Sequence, residues 1–280
     1  MSGLLGASEV REIAHRLGVN PTKKLGQNFV VDANTCRRIV KSAEVQPHDV
    51  ALEIGPGLGS LTLALLEVAD RVIAIEIDSR LAAELPNTIA RHGFDTSRLE
   101  VINQDALHIN ELATHPTVLV ANLPYNISVP VLLNFLAKFP SLNSGLVMVQ
   151  SEVADRLVAA PNSKSYGSPT VKANWWADLS SAGSVARSIF WPIPNVDSSL
   201  VRFVRHEQPG DTELRLATFA VIDAAFAQRR KMLRGALSEL FGGSANASQA
   251  LEQSGIDPTL RGEALELHDF IAIGQTRLSS

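Results

Sequence analysis

Two hydrophobic periods alternate along the middle of this chain. Apolar runs at 49–54, 71–76, 98–103, 116–121 and 144–150 are separated by stretches with helical spacing at 60–69, 79–92, 107–114 and 127–138. Strands separated by helices of this length predict an α/β domain built on a parallel, doubly wound sheet. Ligands of such sheets bind beyond the carboxyl ends of the strands, so the loops at 55–59, 76–78, 104–107 and 122–126 are expected on one side. Asp78 is placed to cap the helix that follows the second strand.

The flanks read differently. Residues 7–17 have the pattern of a short helix with Ser8 as N-cap, and Asp32 is placed to cap another running to about Ala43. Between them lies a basic, glycine-containing loop, Lys23-Lys24-Leu25-Gly26-Gln27-Asn28-Phe29-Val30. Beyond the sheet pattern, 151–160 reads as a helix, and alternation at 171–178 and 198–204 predicts two further strands. Pro209-Gly210 marks a linker. After it the pattern is helical at 212–227, 229–241, 247–254 and 268–277. The expected organisation is therefore an N-terminal segment 1–45, a sheet domain 46–206 and a small all-helical domain 207–280.

Composition narrows the function classes. The chain of 280 residues is 45% hydrophobic and 19% charged, in the range of a globular protein with a substantial core. Cys36 is the sole cysteine, which excludes an internal disulfide and a thiolate zinc site and favours a cytoplasmic setting. The seven histidines show no His-x-x-x-His spacing, so no metal is expected. No long uncharged apolar stretch predicts a signal peptide or a membrane span. With a net charge of −4, any nucleic-acid contact must use local patches. One candidate is the run Arg229, Arg230, Lys231 and Arg234, where i, i+4 spacing places Arg230 and Arg234 on one helix face. Taken alone, the run reads equally as a solvated charged face.

Chemistry enters at Glu53-Ile54-Gly55-Pro56-Gly57-Leu58-Gly59. Glycines at 55, 57 and 59 remove Cβ atoms from the turn between the first strand and its helix, letting backbone approach a ligand. Glu76 ends the second strand, where a carboxylate can hold ribose hydroxyls. Asp105 follows the third, where it can accept a hydrogen bond from an adenine amino group or simply cap the next turn. A nicotinamide-binding loop would prefer Gly-x-Gly-x-x-Gly; here the third glycine comes one residue early, after an acid. That arrangement resembles the first motif of S-adenosylmethionine-dependent methyltransferases.

After the fourth strand comes Asn122-Leu123-Pro124-Tyr125. The amino group of an aromatic base is a poor nucleophile because its lone pair is delocalised into the ring. The Asn122 side-chain carbonyl and the Leu123 backbone carbonyl can accept its two N–H groups and favour a pyramidal nitrogen. Pro124 pre-shapes that backbone, and Tyr125 offers a ring face for stacking. Positioning and electrostatics then suffice, without a strong base.

Asn122-Leu123-Pro124-Tyr125-Asn126-Ile127-Ser128 resembles the signature of the ribosomal RNA adenine dimethyltransferases. Gly26-Gln27-Asn28-Phe29, Gln150 to Leu157, Tyr166-Gly167, Phe190-Trp191-Pro192-Ile193-Pro194-Asn195-Val196-Asp197-Ser198 and Phe226 to Lys231 resemble further segments of that family, over about residues 23–270. The resemblance implies a Rossmann-like class I methyltransferase sheet and S-adenosylmethionine held by Asn28, Val30, Gly55, Gly57, Glu76, Asp105 and Asn122. It implies catalysis at Asn122, Leu123, Pro124 and Tyr125, and RNA contacts through Arg229, Arg230, Lys231 and Arg234. Phe190 becomes a second wall around a flipped-out adenine, its alternative being a core aromatic beside Trp191. It is closest to the small-subunit branch, which dimethylates two adjacent adenosines near the 3′ end of 16S rRNA in a small-subunit assembly intermediate, working as a monomer. The antibiotic-resistance type of 23S rRNA enzyme, whose motif usually reads Asn-Ile-Pro-Tyr, is the runner-up. A ribosome-assembly binding factor with secondary methylation is the reading from another class.

Overall fold

The computed structural model describes residues 3–19 and 28–279. Lys23, Lys24, Gly26 and Gln27 lie outside the described residues. The chain folds into two compact units, one of Met1–Ala154 with Ser180–Arg205, the other of Asp155–Leu179 with His206–Ser280. The second unit thus takes in residues 155–179, which hydropathy alone assigns to the sheet domain.

The first unit is built on a seven-stranded sheet. Its strands are β2 (Val50–Ile54), β3 (Arg71–Glu76), β4 (Leu99–Asn103), β5 (Val118–Asn122), β6 (Ser144–Gln150), β7 (Ala177–Val185) and β9 (Ser198–Arg205), ordered β4-β3-β2-β5-β6-β9-β7. The pairs β3/β4, β2/β3, β2/β5 and β5/β6 are parallel, and β9 runs antiparallel to β6. Central strands buried almost end to end explain their continuous Val, Ile, Leu and Ala runs, since both faces of such a sheet are covered. Strand order reverses between β2 and β5, so the ends of these two strands open a crevice at the switch point. A separate two-stranded ribbon pairs β1 (Phe29–Val30) with β8 (Phe190–Trp191), setting Val30 opposite Phe190.

Helices α1 (Ala7–Arg16), α2 (Ala33–Ser42), α3 (Ser60–Leu66), α4 (Ser79–Arg91) and α5 (Ser128–Lys138) belong to this unit. Asp32 caps α2 by accepting from the Thr35 amide at 2.6 Å, and Asp78 caps α4 by accepting from the Arg80 amide at 3.0 Å. Ser8 caps nothing: α1 starts at Ala7 after Gly6, with no side-chain cap. The stretch 107–114 is not helical. A 3₁₀ turn over Ala106–His108 gives way to extended chain, where the Lys138 ammonium donates to the Ile109 carbonyl at 3.1 Å and to Asn110 Oδ1 at 2.8 Å. Bonds of that kind satisfy the backbone without a helix, and so short a segment gains little from helix formation by itself.

The second unit is helical, with the end of α6 (Ser151–Leu157) followed by α7 (Ser168–Ala173), α8 (Thr212–Ala227), α9 (Leu233–Ala236), α10 (Ser244–Gln253) and α11 (Leu267–Leu278). Its core gathers Tyr166, Val221, Leu237, Leu251, Phe270 and Ile273. The strand expected at 171–178 begins only at Ala177, as β7, and the chain up to Ala173 is α7. Pro169 sits in the first turn, where its missing N–H costs nothing, and the apparent alternation reflects one buried helix face. The helix expected at 229–241 is also broken. Gln228 to Lys231 form a turn, and the amides of Leu233 and Arg234 donate to the carbonyls of Leu260 at 2.7 Å and Pro258 at 3.2 Å rather than back along a helix. Arg230 and Arg234 therefore share no helix face.

Candidate active site

The cleft at the switch point lies within the first unit and is lined by loops from each parallel strand that reaches it. Its walls are Asn28 to Val30, the glycine turn Gly55 to Leu58, Glu76 with Ile77, Gln104 to Ala106, and Asn122 with Pro124. Asn28, Val30, Gly55, Gly57, Glu76, Asp105, Asn122 and Pro124, nominated by sequence, thus meet in one place. Leu123, Tyr125 and Phe190 do not line it. Leu123 is buried, its amide donating to the Met148 carbonyl at 3.1 Å. Tyr125 is half-buried. Phe190 is 2% exposed, inside the hydrophobic core and across the ribbon from Val30.

The glycine loop is shaped for close approach. Gly55 and Gly57 have φ of +72° and +58°, backbone that a side chain strains. A Cβ on Gly57 would stand 2.9 Å from the Phe29 ring. The Gly55 amide donates to the Ile75 carbonyl at 2.9 Å, fastening the loop beside β3. Ser60, at the start of α3, donates to the Val30 carbonyl at 2.6 Å and fixes the Asn28 wall against the helix.

Glu76 is 5% exposed. One carboxylate oxygen accepts from the Gly57 amide and the other from the Asp78 amide, both at 3.0 Å. Burial pushes its carboxyl above the usual range, and these two amides, with that of Ile77, oppose the push by binding the charged form. Of the roughly four acceptor positions of a carboxylate, one remains for a hydroxyl donor. Deeper in, Glu53 is 1% exposed and accepts from the Thr62 hydroxyl at 2.6 Å. Burial, with the Glu76 charge adding to it, raises its carboxyl to about 8 against the Thr62 bond. Asp105 caps its own turn through the Leu107 amide at 2.9 Å and has a second oxygen 3.5 Å from His108 Nδ1.

The Asn122 amide is oriented by the chain. Its Nδ2 donates to the Asn28 carbonyl at 3.1 Å, leaving Oδ1 buried and, among the described residues, without a donor. A buried acceptor without a partner costs about 1–3 kcal/mol, which an incoming N–H would recover. Beside it, the Tyr125 hydroxyl meets Ser198 Oγ at 2.9 Å. That contact and the Glu53–Thr62 pair were not anticipated from sequence, whereas Ile77 and Gln104 of the cleft fall in the loops 76–78 and 104–107 expected on this side.

Among the described residues no group of three or more His, Cys, Asp or Glu side chains is placed to hold a metal ion. No helix among them is long and apolar enough to cross a membrane.

The profile of the "Ribosomal RNA adenine dimethylase" family matches residues 18–275. The chain belongs to that family. It is an rRNA adenine methyltransferase that uses S-adenosylmethionine. Across 278 residues it is 58% identical to "Ribosomal RNA small subunit methyltransferase A" of Kineococcus radiotolerans, covering 99% of this chain and 93% of that protein. The protein of the same name from Streptomyces griseus is 58% identical over 275 residues, covering 97% and 94%. The crystal structure of a dimethyladenosine transferase from Plasmodium falciparum superposes with a TM-score of 0.75 at 24% identity, covering 88% of this chain and 95% of that one, which extends the likeness to the fold.

The cleft fits the dimethylase cofactor. A glycine turn without Cβ atoms, a buried carboxylate for the ribose and a mostly apolar surround suit an adenosine carrying a sulfonium and an amino-acid tail rather than a pyrophosphate. Bound there, S-adenosylmethionine supplies an electrophilic methyl group on its sulfonium.

Proposed function

We propose that this chain dimethylates N6 of two adjacent adenosines in the 3′-terminal hairpin loop of 16S rRNA, acting in the cytoplasm as a monomer on a small-subunit assembly intermediate and without a metal. The observation that carries the reading is Asn122 Oδ1: a buried acceptor without a partner among the described residues, locked in orientation by Asn28, on a residue that lines the cofactor cleft. The choice of 16S rRNA is supported by the relatives named for the small subunit at 58% identity over almost the full chain.

In this reading Gly55, Gly57, Glu76 and Asp105 hold the cofactor. Oδ1 of Asn122 and the Leu123 carbonyl accept the two N–H groups of the target amine and turn its lone pair out of conjugation. Tyr125 stacks on the flipped base. Phe190 completes the sandwich if its segment turns out of the core when RNA binds. After transfer the proton passes to water. One acceptor must tolerate an N-methyl group, because each base is methylated twice.

The test is to incubate under-methylated small and large ribosomal subunits, separately, with the protein and isotopically labelled cofactor, then map the product. Label confined to N6,N6-dimethyladenosine at two neighbouring 16S positions is the expected result. Label in large-subunit RNA, or none in either, overturns it.

A further inference from the structure

Tyr125 follows the Asn-Leu-Pro segment on a loop, yet its ring is tethered at both ends. Its backbone continues directly from β5, where Leu123 still pairs with β6, and the Pro124 carbonyl accepts from the Ile127 amide at 3.1 Å. Its hydroxyl meets Ser198 Oγ at 2.9 Å, 73 residues away in the chain. Ser198 is fully buried and begins β9. The antiparallel register sets it opposite Gln150, and the neighbouring amide of Ser151 donates to the Asp197 carbonyl at 2.9 Å. The next rung is tied again, with Ser151 Oγ 2.8 Å from Ser199 Oγ. Asp197 is in turn held by Arg187 at 2.9 Å. Ser198 Oγ is therefore a fixed point of the sheet, to which the loop carrying Tyr125 is tied through the phenol.

We infer that Ser198 is a positioning residue for the methyl transfer, its hydroxyl fixing the far end, and so the tilt, of the Tyr125 ring against which the target base stacks. The inference rests on the role proposed above for Tyr125. It explains why that wall is tyrosine and not phenylalanine. A phenyl ring offers the same stacking face, but only a phenol can be pinned at its far end. It also suits a base that is gripped twice. A ring left free to tilt would let the N6-methylated adenine settle with its nitrogen off line, and transfer is sensitive to such small displacements. Ser198 touches neither base nor cofactor in this arrangement and acts only through Tyr125.

The experiment compares wild type, Ser198→Ala, Ser198→Thr, Tyr125→Phe and the Ser198→Ala/Tyr125→Phe double variant. Kinetics are measured on under-methylated small subunits. Ser198→Ala is expected to lower kcat about tenfold with KM changed less than about twofold, as loss of one alignment bond predicts. Ser198→Thr keeps the hydroxyl and recovers most of the rate. Tyr125→Phe breaks the same bond from the half-buried side with Ser198 in place, and the double variant is no slower than Tyr125→Phe alone. A second readout needs no substrate. An isotope label on the phenol carbon of tyrosine gives one signal each from Tyr125 and Tyr166, and Ser198→Ala should move only the Tyr125 signal. An additive double variant, an unchanged kcat in Ser198→Ala, or an unmoved Tyr125 signal overturns the inference. Wild-type protein inactive on small subunits, with the signal shift intact, overturns the substrate reading instead.

Discussion

Asn122 serves two partners through one amide. The Nδ2 bond to Asn28 fixes which end faces the cleft, and the partnerless Oδ1 is what remains for the substrate. Replacing it with alanine removes an acceptor aligned with charge that develops on the nucleophile. We expect kcat to fall about 100-fold or more while cofactor affinity, measured by calorimetry, changes only a few-fold. Equal losses in both would mean Asn122 shapes the cofactor cleft rather than the acceptor. Glu53 makes a different demand. Burial lifts its carboxyl from an ordinary 4.5 to about 8, so between those values the folded chain keeps a proton that the unfolded chain releases. Stability is highest at the acid end of that window and falls as pH rises, by up to about 1.4 kcal/mol per pH unit. Glu53→Gln is neutral throughout and can still accept from Thr62. Its melting temperature should match wild type near pH 5 and exceed it near pH 8; parallel pH profiles would show that Glu53 is ionised in the fold. Residues of the Asn122 and Gly55 kind were legible in sequence because their geometry is local, encoded in tetrapeptides and in glycines with positive φ. The Glu53–Thr62 and Tyr125–Ser198 pairs were not, because serine or threonine alone carries no signal and Ser198 stands 73 residues from Tyr125.

Elements were legible in proportion to how much of their burial is periodic. β2, β3, β5 and β6 are hydrophobic along nearly their full length, as strands covered on both faces must be, and each was readable from its apolar run. The strand expected at 171–178 starts late, at Ala177, because Val171, Trp175 and Trp176 are buried by a short helix and its exit, a pattern that alternation mimics. The helix expected at 229–241 failed because tertiary bonds from Leu233 and Arg234 to the 258–260 segment outcompete its own. Close helix contact is likewise invisible in hydropathy. A Cβ on Gly274 of α11 would stand 2.6 Å from Thr218 Oγ1 and 3.1 Å from the Thr218 Cα and amide nitrogen of α8. Alanine gains up to about 1 kcal/mol of helix propensity there, but overpacking against buried backbone costs about 1–3 kcal/mol. Gly274→Ala should therefore lower the melting temperature by several degrees, and a rise would mean that α8 and α11 separate without penalty.

For the whole molecule, an acidic chain must still bind a polyanion, and its net charge of −4 gives no help. The run at 229–234 is where bases concentrate, yet the structure gives its members different work. Arg229 is half-buried, with Nε on Glu263 at 2.8 Å and Nη2 on the Ser163 carbonyl at 3.0 Å, bonds that tie three segments of the second unit together. Arg230, Lys231 and Arg234 are exposed on the turn and on the short α9. If this turn contacts rRNA phosphates, the two classes separate in solution. Replacing Arg230, Lys231 and Arg234 together by alanine should leave the melting temperature within about a degree, weaken RNA binding and flatten its salt dependence by roughly 0.7–0.9 per lost contact in the slope of log affinity against log salt. Replacing Arg229 alone should lower the melting temperature, because Glu263 loses its partner and the Ser163 carbonyl its donor, and should leave the salt slope unchanged. An unaltered slope in the triple variant would move the phosphate contacts elsewhere, with the basic residues of 1–45, seven Lys and Arg against four Asp and Glu, the next place to substitute.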